Sequence, residues 1–70
     1  MIEKSKEKLT TLLGYLIDHN RDHSEELKEL AEKVVGVTGD TVQNHILEAA
    51  RLLDKSTVSL AKALSELSKD

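Results

Sequence analysis

The stretch Gly36-Val37-Thr38-Gly39 separates two heptad repeats in this chain and decides its fold. Within each repeat, residues follow one another at alternating spacings of four and three positions, so that they share one face of a helix. The first repeat consists of Leu9, Leu13, Leu16, Asn20, His23, Leu27, Leu30 and Val34, and the second of Val42, Ile46, Ala49, Leu53, Ser56, Leu60, Ala63 and Leu67. Because the repeats mirror each other across the glycine-rich stretch, the sequence predicts an all-α antiparallel helical hairpin.

The predicted hairpin takes up residues 1–70 as a single helical domain. The repeats place one helix at about 2–35 and a second at about 40–67, with a turn at 36–39. We expect Gly36 to end the first helix in the left-handed conformation, which glycine adopts at little cost. The chain contains no proline that would kink either helix.

A polar segment at residues 18–24 is also compatible with a second fold. Asp22, followed by Glu25, would form a capping box and start a new helix. The first half would then split in two, and the chain would form a three-helix bundle. The heptad repeat keeps its phase through this segment, which favours one continuous helix.

The chain is too small to bury a large core by itself, and it has no cysteine for a disulfide. Further apolar residues flank both repeats, at Leu12, Ile17, Ala31 and Val35 and at Leu47, Ala50, Leu52, Val58 and Leu64. A homodimer, in which two hairpins form a four-helix bundle, would cover them. The predicted core of hairpin and dimer consists of Leu9, Leu13, Leu16, Leu27, Leu30, Ile46, Leu53, Leu60 and Leu67.

Composition argues against two classes of partner. The net charge is −3, the basic residues do not cluster, and Tyr15 is the only aromatic residue, so nucleic-acid binding is not expected. No apolar run approaches the roughly 20 residues that cross a bilayer. Residues 1–8 lack the apolar core of a signal peptide, so we expect a cytoplasmic protein.

Polar residues interrupt the apolar repeats halfway along the predicted seam. Asn20, His23 and Ser56 would form one polar layer there, and such layers fix the register of helices at some cost in stability.

The same region allows a second interpretation, as a metal site. His19 and His23 are four residues apart, so on one helix both imidazoles reach a common point that suits Ni, Co, Zn or Cu. Glu26 would complete the ligand set or orient a ring.

Catalysis finds no support in the sequence. No glycine-rich turn offers an oxyanion hole to Ser24, Ser56 or Thr57, and no Glu stands three residues before a His as in di-iron bundles. We therefore expect a small interaction or structural module that dimerises and docks another helical protein. The alternative is a protein that binds a divalent transition metal through His19 and His23.

The run from His19 to Glu26 resembles a His-Asn-x-x-His-x-x-Glu motif in a group of short prokaryotic helical-hairpin proteins of uncharacterised function. The resemblance extends over residues 9–67. It implies functional roles for His19, Asn20, His23 and Glu26. The group carries His-Trp one turn earlier, where this chain has Tyr15 and Leu16, so a third histidine ligand is missing.

Overall fold

Two helices make up the part of the chain that the structure describes. The computed structural model describes residues 2–69, without the side chains of residues 2, 3 and 38. Helix α1 spans Ile2–Thr38 and helix α2 spans Asp40–Leu67. They pack side by side into a rod with Cα extents of 54 × 14 × 10 Å. The helical hairpin is confirmed, and the predicted domain's first and last residues, Met1 and Asp70, lie outside the described part.

Helix α1 continues without a break through residues 18–24. The three-helix alternative is therefore wrong. The capping box that Asp22 and Glu25 would form competes with a long helix that packs on α2 over most of its length, and this packing outweighs the local preference.

The chain reverses at Gly39, which lies between the two helices. Its φ of 86° and ψ of −175° belong to a region that is essentially restricted to glycine. Gly36, which we expected to adopt the left-handed conformation, lies inside α1 instead. The turn is thus shorter than the predicted 36–39, because a glycine can continue a helix at a cost of about 1 kcal/mol and only Gly39 has the conformation that ends it.

The helices meet along one contact line of residues, spaced alternately three and four apart. Every member is buried or half-buried. The contact line consists of Thr10, Leu13, Ile17, Asn20, Ser24, Leu27, Ala31 and Val34 of α1 and Gln43, Ile46, Ala50, Leu53, Thr57, Leu60, Leu64 and Leu67 of α2. It therefore keeps the predicted heptad spacing but not all of the predicted residues.

Half of the predicted seam is displaced by one residue. The predicted and observed lines share Leu13, Asn20, Leu27, Val34, Ile46, Leu53, Leu60 and Leu67. Between these, α1 buries Ile17 and Ala31, whereas Leu16 is half-buried and Leu30 is exposed; α2 buries Ala50 rather than Ala49.

Leu9 and Leu30 are 50% and 46% exposed, so placing them between the two helices of the hairpin was wrong. Their burial in a dimer stays a prediction.

In α1 the displacement follows from the size of the side chains. Helix axes approach more closely where small residues meet, and the buried members Ser24, Ala31 and Ala50 are all small. The apolar sector of α1 is wide enough for two neighbouring lines, and its line with the smaller residues faces α2. The larger leucines of its other line, Leu9, Leu16 and Leu30, are left on one side of the hairpin.

Side-chain size does not explain the displacement in α2. The line of α2 that faces α1 has the larger residues, with Thr57 rather than Ser56 and Leu64 rather than Ala63.

Neither helix, over the described residues, contains an apolar window long enough to cross a membrane.

Candidate interaction face and histidine pair

The two flat sides of the hairpin differ in chemistry, and an ion pair identifies which residues share a side. Lys28 Nζ lies 3.3 Å from Asp54 Oδ2 across the helices. Residues seven apart lie on the same side of a packed helix. The side with Lys28 and Asp54 therefore also carries residues 14, 21 and 35 of α1 and 47 and 61 of α2; we call it the Asp54 face.

The opposite side, which we call the histidine face, carries no charged residue along its middle over the described residues. Its central positions are Leu9, Leu16, His23, Leu30 and Val37 of α1 and Val42, Ala49, Ser56 and Ala63 of α2. The rim positions on α1 include Leu12 and His19, and Leu52 lies on the rim of α2. By contrast, the Asp54 face has Arg21, Lys28 and Asp54 at its centre.

Large apolar side chains are exposed mainly on the histidine face. The following residues there are 40–53% exposed: Leu9, Leu12, Leu30, Val42 and Leu52. Only Ile17, Ala31 and Ala50 are buried apolar residues in the described part of the chain. A hairpin this thin leaves most of its apolar surface in water, and contiguous apolar patches of this kind mark sites of association.

The two histidines of the predicted motif are in direct contact on the histidine face. His23 Nε2 and His19 Nε2 are 2.9 Å apart, and the rings meet edge to face with centroids 4.3 Å apart. Tyr15 stacks on the other side of His19, at a centroid distance of 5.5 Å. The helix thus holds both imidazole nitrogens at one point, as the spacing predicts.

Glu26 orients His23 rather than joining the two Nε2 atoms. Its Oε2 lies 3.3 Å from His23 Nδ1. When Nδ1–H donates this hydrogen bond, His23 Nε2 is left as an acceptor for Nε2–H of His19. Such an arrangement prepares Nε2 to bind a metal, with the carboxylate behind the ligand.

The chain alone does not supply a complete metal site. Among the described residues there is no group of three or more His, Cys, Asp or Glu side chains placed to hold a metal ion. The predicted set of His19, His23 and Glu26 therefore reduces to two nitrogens from one chain, with Glu26 hydrogen-bonded to the far nitrogen of one ring.

The polar layer between the helices differs from the predicted one. His23 and Ser56 are exposed on the histidine face, and of the three predicted members only Asn20 is half-buried on the contact line. Ser24 and Thr57 are the buried polar residues of the described chain. The reason is the same one-residue displacement, which replaces His23 by Ser24 and Ser56 by Thr57.

Ser24 and Asp54 connect the helices in this layer. The hydroxyl of Ser24 donates a hydrogen bond of 2.5 Å to Asp54 Oδ1, while Lys28 lies beside Oδ2. These two donors hold the pKa of Asp54 below its usual range, the Ser24 hydrogen bond most strongly. Thr57 satisfies its own hydroxyl by donating to the carbonyl oxygen of Leu53 at 2.9 Å.

Sequence reasoning missed Ser24 and Asp54. One pattern in the sequence pointed to Ser24. Ile17, Ser24 and Ala31 recur every seven residues, and on average their side chains are smaller than the leucines at positions 16 and 30 beside them. No local sequence pattern predicted the hydrogen bond between Ser24 and Asp54, since the two residues are 30 positions apart.

Residues 9–67 match a domain of unknown function (DUF8180), and the chain belongs to this family. The match covers the same residues as the resemblance to the helical-hairpin group. No curated protein and no solved structure matches the chain.

Proposed function

We propose that this DUF8180 chain is a small interaction module that works as a homodimer. Two copies pack histidine face against histidine face and form a four-helix bundle. The exposed leucines and valines of that face support the dimer, because a hairpin with so few buried apolar residues gains little stability alone.

The dimensions of the hairpin suit such a dimer. Its Cα extents of 54 and 14 Å give each flat side a footprint of about 750 Å². Stable protein interfaces bury roughly 800 Å² on each partner. Among the described residues, the centre of the histidine face has no charged side chain, which further favours this face as the buried side, since burying an unpaired charge is costly.

Analytical ultracentrifugation of the purified chain at micromolar concentrations tests the proposal. We expect a mass of twice the 7.8 kDa chain. A folded monomer over the whole accessible range would contradict the dimer. It would then favour a different helical protein as the partner of this face.

We also propose that the module acts in the cytoplasm and without catalysis, as expected from its sequence. Its use would be to hold partners together or to present the outer surface of the bundle to an amphipathic helix of another protein.

Transition-metal binding is the second candidate function. The contact between His19 Nε2 and His23 Nε2 favours it, because imidazole nitrogens at one point are the usual start of a Zn, Ni, Cu or Co site. Isothermal titration with Zn²⁺ and Ni²⁺ at pH 7.5 tests it. Saturable uptake that is lost in His19→Ala supports metal binding, and no uptake contradicts it.

A further inference from the structure

Polar residues lie at the middle of the otherwise apolar histidine face. His23 and Ser56 occupy central positions there, and His19 lies beside them on the rim. In α1 the histidines fall near residue 20, the midpoint of Ile2–Thr38. A dimer that buries this face must therefore cover imidazoles as well as leucines.

One chain supplies only part of a metal site at this place. Its two Nε2 atoms are 2.9 Å apart. Two nitrogens bound to a tetrahedral Zn²⁺ at about 2.0–2.1 Å would be about 3.3 Å apart, so a small rotation of the rings suffices. Tetrahedral sites need four ligands, and the described residues of one chain offer no third.

Symmetry brings a second pair to the same point. Two rods of this shape overlap most when a two-fold axis crosses the interface near their midpoints, perpendicular to the helices. The first helices of the two copies then run antiparallel, and residues near the middle of α1 face their own symmetry mates. His19 and His23 are the side chains nearest to that axis on the apolar side.

We infer that the homodimer binds one transition-metal ion on its two-fold axis, through His19 Nε2 and His23 Nε2 of both copies. This inference rests on the dimer proposed above. The four imidazoles bind as neutral ligands. His23 keeps its proton on Nδ1 toward Glu26, and His19 carries its proton on Nδ1 instead of Nε2 once the metal replaces the hydrogen bond between the two rings. Zn²⁺ suits four nitrogens in tetrahedral geometry.

Such a site makes metal binding and assembly interdependent. Without metal, the dimer buries imidazoles that lose contact with water, and this cost weakens association. With metal, each ion joins two chains and stabilises only the dimer, so the melting temperature rises with the metal concentration. Excess metal does not saturate one ion per chain, because a pair of histidines alone is an incomplete site.

The test combines Zn²⁺ titration with native mass spectrometry and ultracentrifugation on the full chain. We expect one Zn²⁺ per two chains and a higher fraction of dimer at low protein concentration. His19→Ala and His23→Ala should each weaken binding at least tenfold. His45→Ala is the matched control, because His45 is also exposed but lies near the start of α2, at the turn end of the rod and away from the two-fold axis, and it should bind as wild type does.

The outcomes separate this inference from the dimer itself. A dimer that persists without taking up Zn²⁺ overturns the shared metal site and leaves the dimer standing. One Zn²⁺ per chain, or binding unaffected by His19→Ala and His23→Ala, also overturns the shared site. A chain that stays monomeric with and without Zn²⁺ overturns both.

Discussion

At the scale of single residues, the polar contact between the helices is the most specific interaction in the hairpin. Ser24 is 2% exposed, and the acceptor of its hydroxyl, Asp54, is held in place by Lys28 as well. A one-residue slip of either helix would break this contact and bury Ser24 without a partner, which is costly. Ser24 and Asp54 therefore select the observed register.

Removing the Ser24 hydroxyl should raise the pKa of Asp54. The hydrogen bond is the main reason that this pKa is lowered in the folded chain, so Ser24→Ala should return it toward its ordinary value. Carbon-detected NMR titration of the Asp54 carboxyl measures both pKa values. Glu48 is the internal control, because its lowered pKa comes mainly from the side-chain hydrogen bond with Arg51 and should not change.

The sign of the stability effect follows from the lowered pKa. Folding favours the ionised Asp54, so its contribution is fully present above the unfolded pKa of about 3.9 and is lost as the pH falls through the lower folded value. The melting temperatures of wild type and Ser24→Ala should therefore converge in strong acid. A difference that is constant from neutral pH to strong acid would contradict this account.

Ile17 should contribute more to the free energy of unfolding than a chemically similar residue outside the contact line does. It is 6% exposed, and Ile17→Ala should lower the free energy of unfolding by about 2–5 kcal/mol. Val58, which is 54% exposed and lies outside the contact line, is the control. Val58→Ala should change the free energy of unfolding by less than about 0.5 kcal/mol. Urea denaturation measures both; equal effects would contradict the observed contact line.

At the scale of elements, the hairpin depends on one glycine that reverses the chain and tolerates two within α1. Gly39 has a positive φ, whereas Gly14 and Gly36 lie in helical turns with open space around the position of a Cβ. A glycine inside a helix weakens it, while a glycine at a positive φ prevents strain. The same residue type therefore has opposite effects at the two places.

Substituting these glycines by alanine should change stability in opposite directions. Gly39→Ala strains a backbone with φ 86° and should cost about 1–3 kcal/mol. Gly36→Ala adds a good helix former in open space and should stabilise by about 0.5–1 kcal/mol. Thermal denaturation followed by circular dichroism compares the two; a stabilised Gly39→Ala would contradict the single-residue turn.

At the scale of the whole molecule, the hairpin has two sides with unequal chemistry. The Asp54 face carries the charged pair that joins the helices, and the histidine face carries most of the leucines that the contact line leaves out. A rod only two helices wide has no third element to cover those leucines. A second copy supplies that cover in the proposed bundle.

A charge on the histidine face should separate the proposed dimer. Leu30→Asp places a carboxylate at a central position of that face and should reduce the association constant at least tenfold, because the interface would bury a charge. Val58→Asp introduces the same group at a comparably exposed position that lines one surface hollow with Arg21 and Asp54 of the Asp54 face, and it should leave association within about twofold. Ultracentrifugation across protein concentrations distinguishes these results, and equal weakening by both variants would count against the histidine face as the interface.

The helical hairpin, its two heptad repeats and the contact of His19 with His23 could all be predicted from the amino-acid sequence. These features are local, since they depend on helical periodicity, on a glycine-rich break and on a spacing of four residues. Which apolar residues face the other helix could not be predicted in this way: Ile17, Ala31 and Ala50 are buried between the helices, while Leu9 and Leu30 face outward.

The physical reason lies in the width of the apolar sector. Periodicity shows which sector of a helix is apolar, but not how that sector divides between the partner helix and the outer surface. The division depends on how closely the backbones approach, and on a hydrogen bond between Ser24 and Asp54, 30 positions apart in the chain. Neither can be read from one helix alone, because both arise only when the two helices pack together.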